Sequence, residues 1–111
     1  MRRPDVLRKD KDFADMYRKK KASAGKYVVV FYRKNQLPYN RKAFLASKKV
    51  GKSVQRNRAR RLMKESYRQM EHLLPTGWDF IFIARHTILD MKCADVKKSM
   101  ETAMKKAGII K

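Results

Sequence analysis

The chain has a single cysteine, Cys93, so an internal disulfide and a cysteine-rich zinc site are both excluded. Its place on an apolar helical stripe reads as packing, and such a thiol suits a reducing cytoplasm. Acidic residues are also scarce: 10 Asp and Glu stand against 30 Lys and Arg, a formal net charge of +20. No apolar run approaches the roughly 18 residues of a membrane span. Met1-Arg2-Arg3-Pro4-Asp5 is not followed by the apolar segment of an export signal, so neither export nor anchoring is expected. His72 and His86 are the only histidines, and their spacing orients no acid–base pair. Most carboxylates lie at helix starts, where capping explains them, and no close set resembles a two-metal nuclease site. No catalytic residue and no protein-held metal site is therefore expected.

What is present suffices for one folded domain over residues 1–111. A hydrophobic content of 43% can fill one core, and the length leaves no room for a second full domain. Dense β-branched and aromatic runs argue against disorder. The charge points to a polyanionic partner bound with release of counterions. Nucleic acid is the first candidate and an anionic membrane surface the competitor.

Periodicity divides the chain into alternating helices and strands. Asp10 to about Lys20 reads as a helix, with Phe13, Met16 and Tyr17 on one face and Asp10 and Asp12 in its first turn. Ala22-Ser23-Ala24-Gly25 reads as a linker. Tyr27–Tyr32 is a strand apolar on both alternating faces, Asn35–Asn40 carries turn chemistry, and Ala43–Ser47 is a second strand. A long helix is expected from Val54 to Leu74, with Ser53 as its N-cap and Pro75 as its stop. The strand Trp78–Ala84 follows. A last helix places Cys93, Val96, Met100, Ala103, Met104 and Ala107 on one stripe before Gly108.

The long helix is the informative segment. At 100° per residue, a step fixed by roughly 3.6 residues per turn, Ala59, Leu62, Met63, Ser66, Met70 and Leu73 form one arc. Arg56, Asn57, Arg60, Arg61, Lys64 and Arg68 form the opposite arc, with Arg58 at its edge and only Glu65 and Glu71 as acidic neighbours. Any amphipathic helix needs a charged outer face, but this one breaks a rule. Arg56 and Arg58 fall in the first turn, where the helix dipole disfavours cations by roughly 0.3 to 1 kcal/mol each. The first and last helices obey the dipole, with lysines at their ends. The reversed order is accounted for by phosphate binding, and Lys48, Lys49 and Lys52 extend the patch.

The segment Ser47-Lys48-Lys49-Val50-Gly51-Lys52-Ser53-Val54-Gln55-Arg56-Asn57-Arg58-Ala59-Arg60-Arg61 resembles the signature of the bacterial ribonuclease P protein subunit. The resemblance extends over nearly the whole chain, through Lys9–Tyr17, Tyr27–Tyr32 and Asp79–Arg85. It implies an α/β (α+β) two-layer sandwich of the ribosomal protein S5 domain 2-like class, in the order α-β-β-β-α-β-α. It also implies a left-handed βαβ crossover around the long helix, against the general right-handed preference.

By the same resemblance, the chain is an accessory to a catalytic RNA that removes 5′ leaders from precursor tRNAs in the bacterial cytoplasm. Cleavage then belongs to the RNA and to the magnesium ions it holds. Lys48, Lys49, Lys52, Arg56, Asn57, Arg58, Arg60, Arg61 and Lys64 are expected to dock on that RNA. Asn57 is a candidate neighbour of a hydrated magnesium, without an oxygen cluster to hold one. The single-stranded leader is expected in a cleft between the first helix and the sheet. There Phe13 and Tyr17 stack on bases or pack beneath them, Lys9 takes phosphate, and Val28 and Val30 form the floor. A structural protein of the ribosome would share the size, charge and fold class. A major-groove DNA reader would need base-reading side chains and a dimer seam, which do not stand out.

Overall fold

The computed structural model describes residues 4–111, so the Met1–Arg3 part of the N-terminal reading lies outside the described residues. The elements are α1 (Asp10–Lys19), β1 (Ala22–Ala24), β2 (Val28–Lys34), β3 (Arg41–Leu45), α2 (Ser53–Met70), β4 (Trp78–Ala84) and α3 (Cys93–Lys106). Short 3-10 turns at Glu71–Leu73 and His86–Ile88 extend α2 and follow β4. This is the expected α-β-β-β-α-β-α order. Among the described residues, no helix is long and apolar enough to cross a membrane.

The four strands form one mixed sheet in the order β1-β2-β4-β3. β2 runs antiparallel to both β1 and β4, whereas β3 and β4 are parallel and are joined through α2. Strand alternation sends Val28, Val30, Phe80 and Phe82 into one layer. There they pack with Ala59, Met63, Tyr67 and Met70 of α2 and Val96, Met100, Ala103 and Met104 of α3. The opposite face of the sheet carries Phe31, Ala43, Leu45, Ile81 and Ile83. Met16, Phe13 and Tyr17 of α1 and Leu7 cover it. Both arcs read from the long helix fall on the expected sides, with Tyr67 added to the buried one, except that Leu73 lies in the 3-10 turn beyond α2 and is exposed.

Three local expectations are corrected. Ala22–Ala24 is not a linker but an edge strand, its small side chains having given no alternation to read. The helix α2 starts at Ser53, not Val54, with Lys52 as its extended N-cap residue, and its α-helical part stops at Met70, not Leu74. The Lys52 N–H donates to Gln55 Oε1 at 2.7 Å, so Gln55, not Ser53, satisfies the helix entrance. Gly51 makes this possible: its φ is +146°, and a Cβ there would stand 2.1 Å from the same Gln55 oxygen. The segment around Val6 also contributes pairing. Val6 bridges to Lys42 in parallel, and the Leu7 N–H donates to the Lys42 carbonyl at 2.9 Å, covering part of the β3 edge.

Candidate nucleic-acid interface

The start of α2 carries a concentration of cations without acidic partners among the described residues. Lys48, Lys49, Lys52, Asn57, Arg58, Arg61 and Lys64 are exposed, while Arg56 and Arg60 are half-buried. The first turn contains no acidic residue. Among the described residues, none of these cations forms an ion pair. Local bonds instead fix two of the arginine forks. Arg56 Nη2 donates to Ser53 Oγ at 3.1 Å, and Arg60 Nη2 donates to Asn57 Oδ1. Arg56 Nε is buried without a hydrogen-bond partner. Val54 projects from the same turn with 76% of its surface exposed, an apolar side chain amid charge. The helix dipole and the first-turn N–H groups add positive potential to the same place.

The oxygen donors of this surface do not fit a magnesium ion. Asn57 Oδ1 and Ser53 Oγ both accept from arginines, and the surrounding side chains are cationic. Magnesium requires hard oxygen ligands and, in this field, negative charge supplied from elsewhere.

A second surface lies beside the first. Phe13 and Tyr17, one turn apart on α1, have ring centroids 6.4 Å apart, and Tyr17 meets Phe31 edge-on at 5.0 Å. Burial pushes the Tyr17 hydroxyl above its ordinary pKa, so it stays neutral. Lys9 is exposed at the entrance to α1. Phe13 also lines a cavity of about 630 Å³ with Leu7, Ala43 and Leu45, and Lys64 and Arg68 of α2 line the same cavity. The two sequence-predicted surfaces therefore touch at one groove, through Phe13 on the α1 side and Lys64 on the α2 side, where Tyr67, Arg68 and Glu71 complete the wall.

Val28 and Val30 do not form its floor. Both are fully buried in the α2–α3 layer, on the other side of the sheet. Tyr27–Tyr32 is apolar at every position, so hydrophobicity gave no parity, and a one-residue shift reverses the face. Phe31 is the β2 aromatic on the α1 side, and sequence reasoning missed it.

Sequence reasoning also missed the polar end of this layer. Asp79 has a fully buried carboxylate, yet its charge is compensated. Arg41 donates to both of its oxygens, Nε to Oδ1 at 2.8 Å and Nη2 to Oδ2 at 2.7 Å. Arg33 Nε adds a bond of 2.8 Å to Oδ2, and Asn35 Nδ2 one of 2.8 Å to Oδ1. Arg33 then reaches across to α1, donating to Asp15 at 2.7 Å and to Asp12 at 2.9 Å. Burial alone would raise the Asp79 pKa, but the bonds from Arg41, Asn35 and Arg33 outweigh it and hold the carboxyl below its ordinary value. Asp12 therefore serves as more than a dipole complement. The signal available beforehand was the cross-strand pairing of Arg33 with Asp79, legible only once the register is known.

Comparison with known proteins agrees with this architecture. The family model described as Ribonuclease P matches residues 1–108. The ribonuclease P protein component of Pelotomaculum thermopropionicum is 39% identical over 105 residues, covering 95% of this chain and 94% of the relative. That of Clostridioides difficile is 41% identical over 104 residues, covering 93% and 91%. The Staphylococcus aureus RNase P protein superposes with a TM-score of 0.84 at 27% identity, over 98% of this chain and all of that one. The Thermotoga maritima protein gives 0.81 at 27% identity, over 91% of this chain and 96% of its own. With nearly its full length matched in sequence and in fold, the chain belongs to the ribonuclease P protein family.

Proposed function

We propose that this chain docks on the catalytic RNA of ribonuclease P through the start of α2 and holds the precursor's 5′ leader in the adjoining groove. Family membership makes it a subunit of ribonuclease P acting in tRNA processing, an accessory to an RNA-based enzyme. The single observation that carries the docking reading is the cationic start of α2, without an ion pair among the described residues. Arg56, Arg58, Arg60 and Arg61, with Lys48, Lys49, Lys52 and Lys64, neutralise RNA phosphates, and Asn57 keeps Arg60 in place. Phe13 and Tyr17, joined by Phe31, offer ring faces and edges to unpaired bases, and Lys9 offers charge to their phosphates.

Cleavage is assigned to the RNA. The magnesium ions that serve it are assigned to the RNA as well, a reading supported by the cationic surroundings of the few oxygen donors on α2. In the bacterial cytoplasm, the chain's part is to screen phosphate repulsion and to position the leader.

The test is precursor-tRNA cleavage at low magnesium by buffer, by protein alone, by ribonuclease P RNA alone and by both together. Cleavage only with both is the expected result. Cleavage by nuclease-free protein alone would overturn the placement of catalysis in RNA. An RNA left unstimulated would favour a structural role on the ribosome.

A further inference from the structure

The cationic surface does not end at α2. Leu45, Ile83, Val29 and Ala24 are register partners in one row across all four strands. At roughly 4.8 Å per strand, that row is about 14 Å wide. Every connection beyond it leaves the sheet at the same end: the loop from β3 to α2 with Lys48, Lys49 and Lys52, the residues after β4, and the turn between β1 and β2. The end of α3 arrives there too, because Lys106 Nζ donates to the Ala24 carbonyl at 2.8 Å.

The β1–β2 turn is built in a specific way. Its carbonyls at Ala24, Gly25 and Lys26 accept in succession from Lys106 Nζ, from Arg85 Nη1 at 3.0 Å and from Thr87 Oγ1 at 2.7 Å. Gly25 permits the close packing, since a Cβ there would stand 2.5 Å from the Ser99 carbonyl oxygen. The carbonyls orient the two cations without neutralising them. Arg85 keeps four further N–H groups and Lys106 two. Lys26, Arg85 and Lys106 are all exposed, and among the described residues none of them forms an ion pair.

We infer that Lys26, Arg85 and Lys106 extend the RNA-docking surface across this end of the sheet and bind further backbone phosphates of the catalytic RNA already held by α2. The inference rests on the docking reading above. Continuity with α2 selects that RNA over the precursor, whose leader groove opens between α1, β3 and α2. Three exposed cations on separate segments, two of them held by carbonyl bonds, suit a phosphate backbone, with its regularly spaced charges, better than a single small anion.

The experiment measures affinity for ribonuclease P RNA over a salt series with the full chain. Three proteins are compared with wild type: the triple variant Lys26→Glu/Arg85→Gln/Lys106→Gln, Lys26→Glu alone and Arg58→Gln. Each lost phosphate contact flattens the plot of log affinity against log salt by about 0.9, so the triple variant is expected to flatten it by about two to three. Lys26→Glu leaves all three carbonyl bonds intact, because its side chain takes no part in them, and is expected to flatten the slope by about one. The ratio of precursor to mature tRNA affinity in the assembled complex stays at the wild-type value. If Arg58→Gln flattens the slope while the triple variant and Lys26→Glu do not, the extension is wrong and α2 docking stands. If Arg58→Gln leaves it unchanged as well, the docking reading itself fails. A change in the precursor-to-mature ratio with an unchanged slope would move these residues to the substrate and overturn the assignment.

Discussion

Two groups of arginines in this molecule have opposite surroundings. Arg33 and Arg41 sit on the α1 side of the sheet, saturated by Asp79, Asp12 and Asp15. Arg56, Arg58, Arg60 and Arg61 stand at the start of α2 without a carboxylate among the described residues. The residue type is the same, and the position of the few acids decides its role. With so few acids in the chain, those concentrated around Arg33 and Arg41 tie α1 to the sheet. The α2 arginines are left to a partner that brings its own negative charge.

The largest effect expected from breaking this contrast is on stability. Replacing Asp79→Ala strips Arg41 of both its hydrogen-bonded carboxylate contacts and Arg33 of one, while Arg33 keeps Asp12 and Asp15, and losing one member of a buried pair costs about 3–5 kcal/mol. Chemical denaturation measures this directly. A loss as small as that of an exposed ion pair would show that the network contributes little and that apolar packing alone holds α1.

The groove tests the contrast at its border. Phe13→Ala and Tyr17→Ala are expected to weaken precursor binding about tenfold each, within the range of one lost base–aromatic stack, and to leave mature tRNA binding unchanged. Phe31→Ala sharpens this, because Phe31 supports Tyr17 from the sheet. Equal losses for precursor and mature tRNA would remove the leader from the groove.

A smaller effect concerns pH. The Asp79 carboxyl is held below its ordinary value of 3.8, so its contribution to stability is fully present above that value. As pH falls through the lower folded pKa, the contribution is lost. The stability gap between wild type and Asp79→Ala is therefore expected to stay constant from pH 7 to 5 and to shrink below about 3.8. A gap that widened in acid would contradict the assignment of charge to Asp79.

Helical features were legible in the sequence because 3.6-residue periodicity survives without knowledge of neighbours. The stripe of Val96, Met100, Ala103 and Met104 is buried as read, and the two arcs of α2 separate as the wheel places them up to Met70, beyond which the 3-10 turn leaves Leu73 exposed. The sheet was less legible. The face of each residue in Tyr27–Tyr32 depends on a parity that an all-apolar run conceals, which displaced Val28 and Val30 from the groove and hid Phe31. Ala22–Ala24 lacked β-branched residues, and its pairing with β2 supplies what its composition does not. The network around Asp79 was hidden for another reason: Asp12, Arg33, Arg41 and Asp79 are distant in sequence and meet only through the register of β2, β4 and β3. Of the docking surface, the dipole violation by Arg56 and Arg58 was visible, whereas the carbonyl bonds that gather Arg85 and Lys106 beside Lys26 required the fold.

The most direct test of the central claim, that unpaired arginines belong to RNA and paired ones to the fold, is a paired measurement on Arg56→Gln/Arg58→Gln/Arg60→Gln. Its melting temperature and its affinity for ribonuclease P RNA are compared with wild type in the same buffer. The account predicts a melting temperature no lower than that of wild type, raised by up to a few degrees as the dipole conflict at Arg56 and Arg58 is relieved, and an affinity reduced roughly several-hundred-fold at 0.1 M salt, as three lost phosphate contacts require. A lowered melting temperature with affinity intact would contradict it.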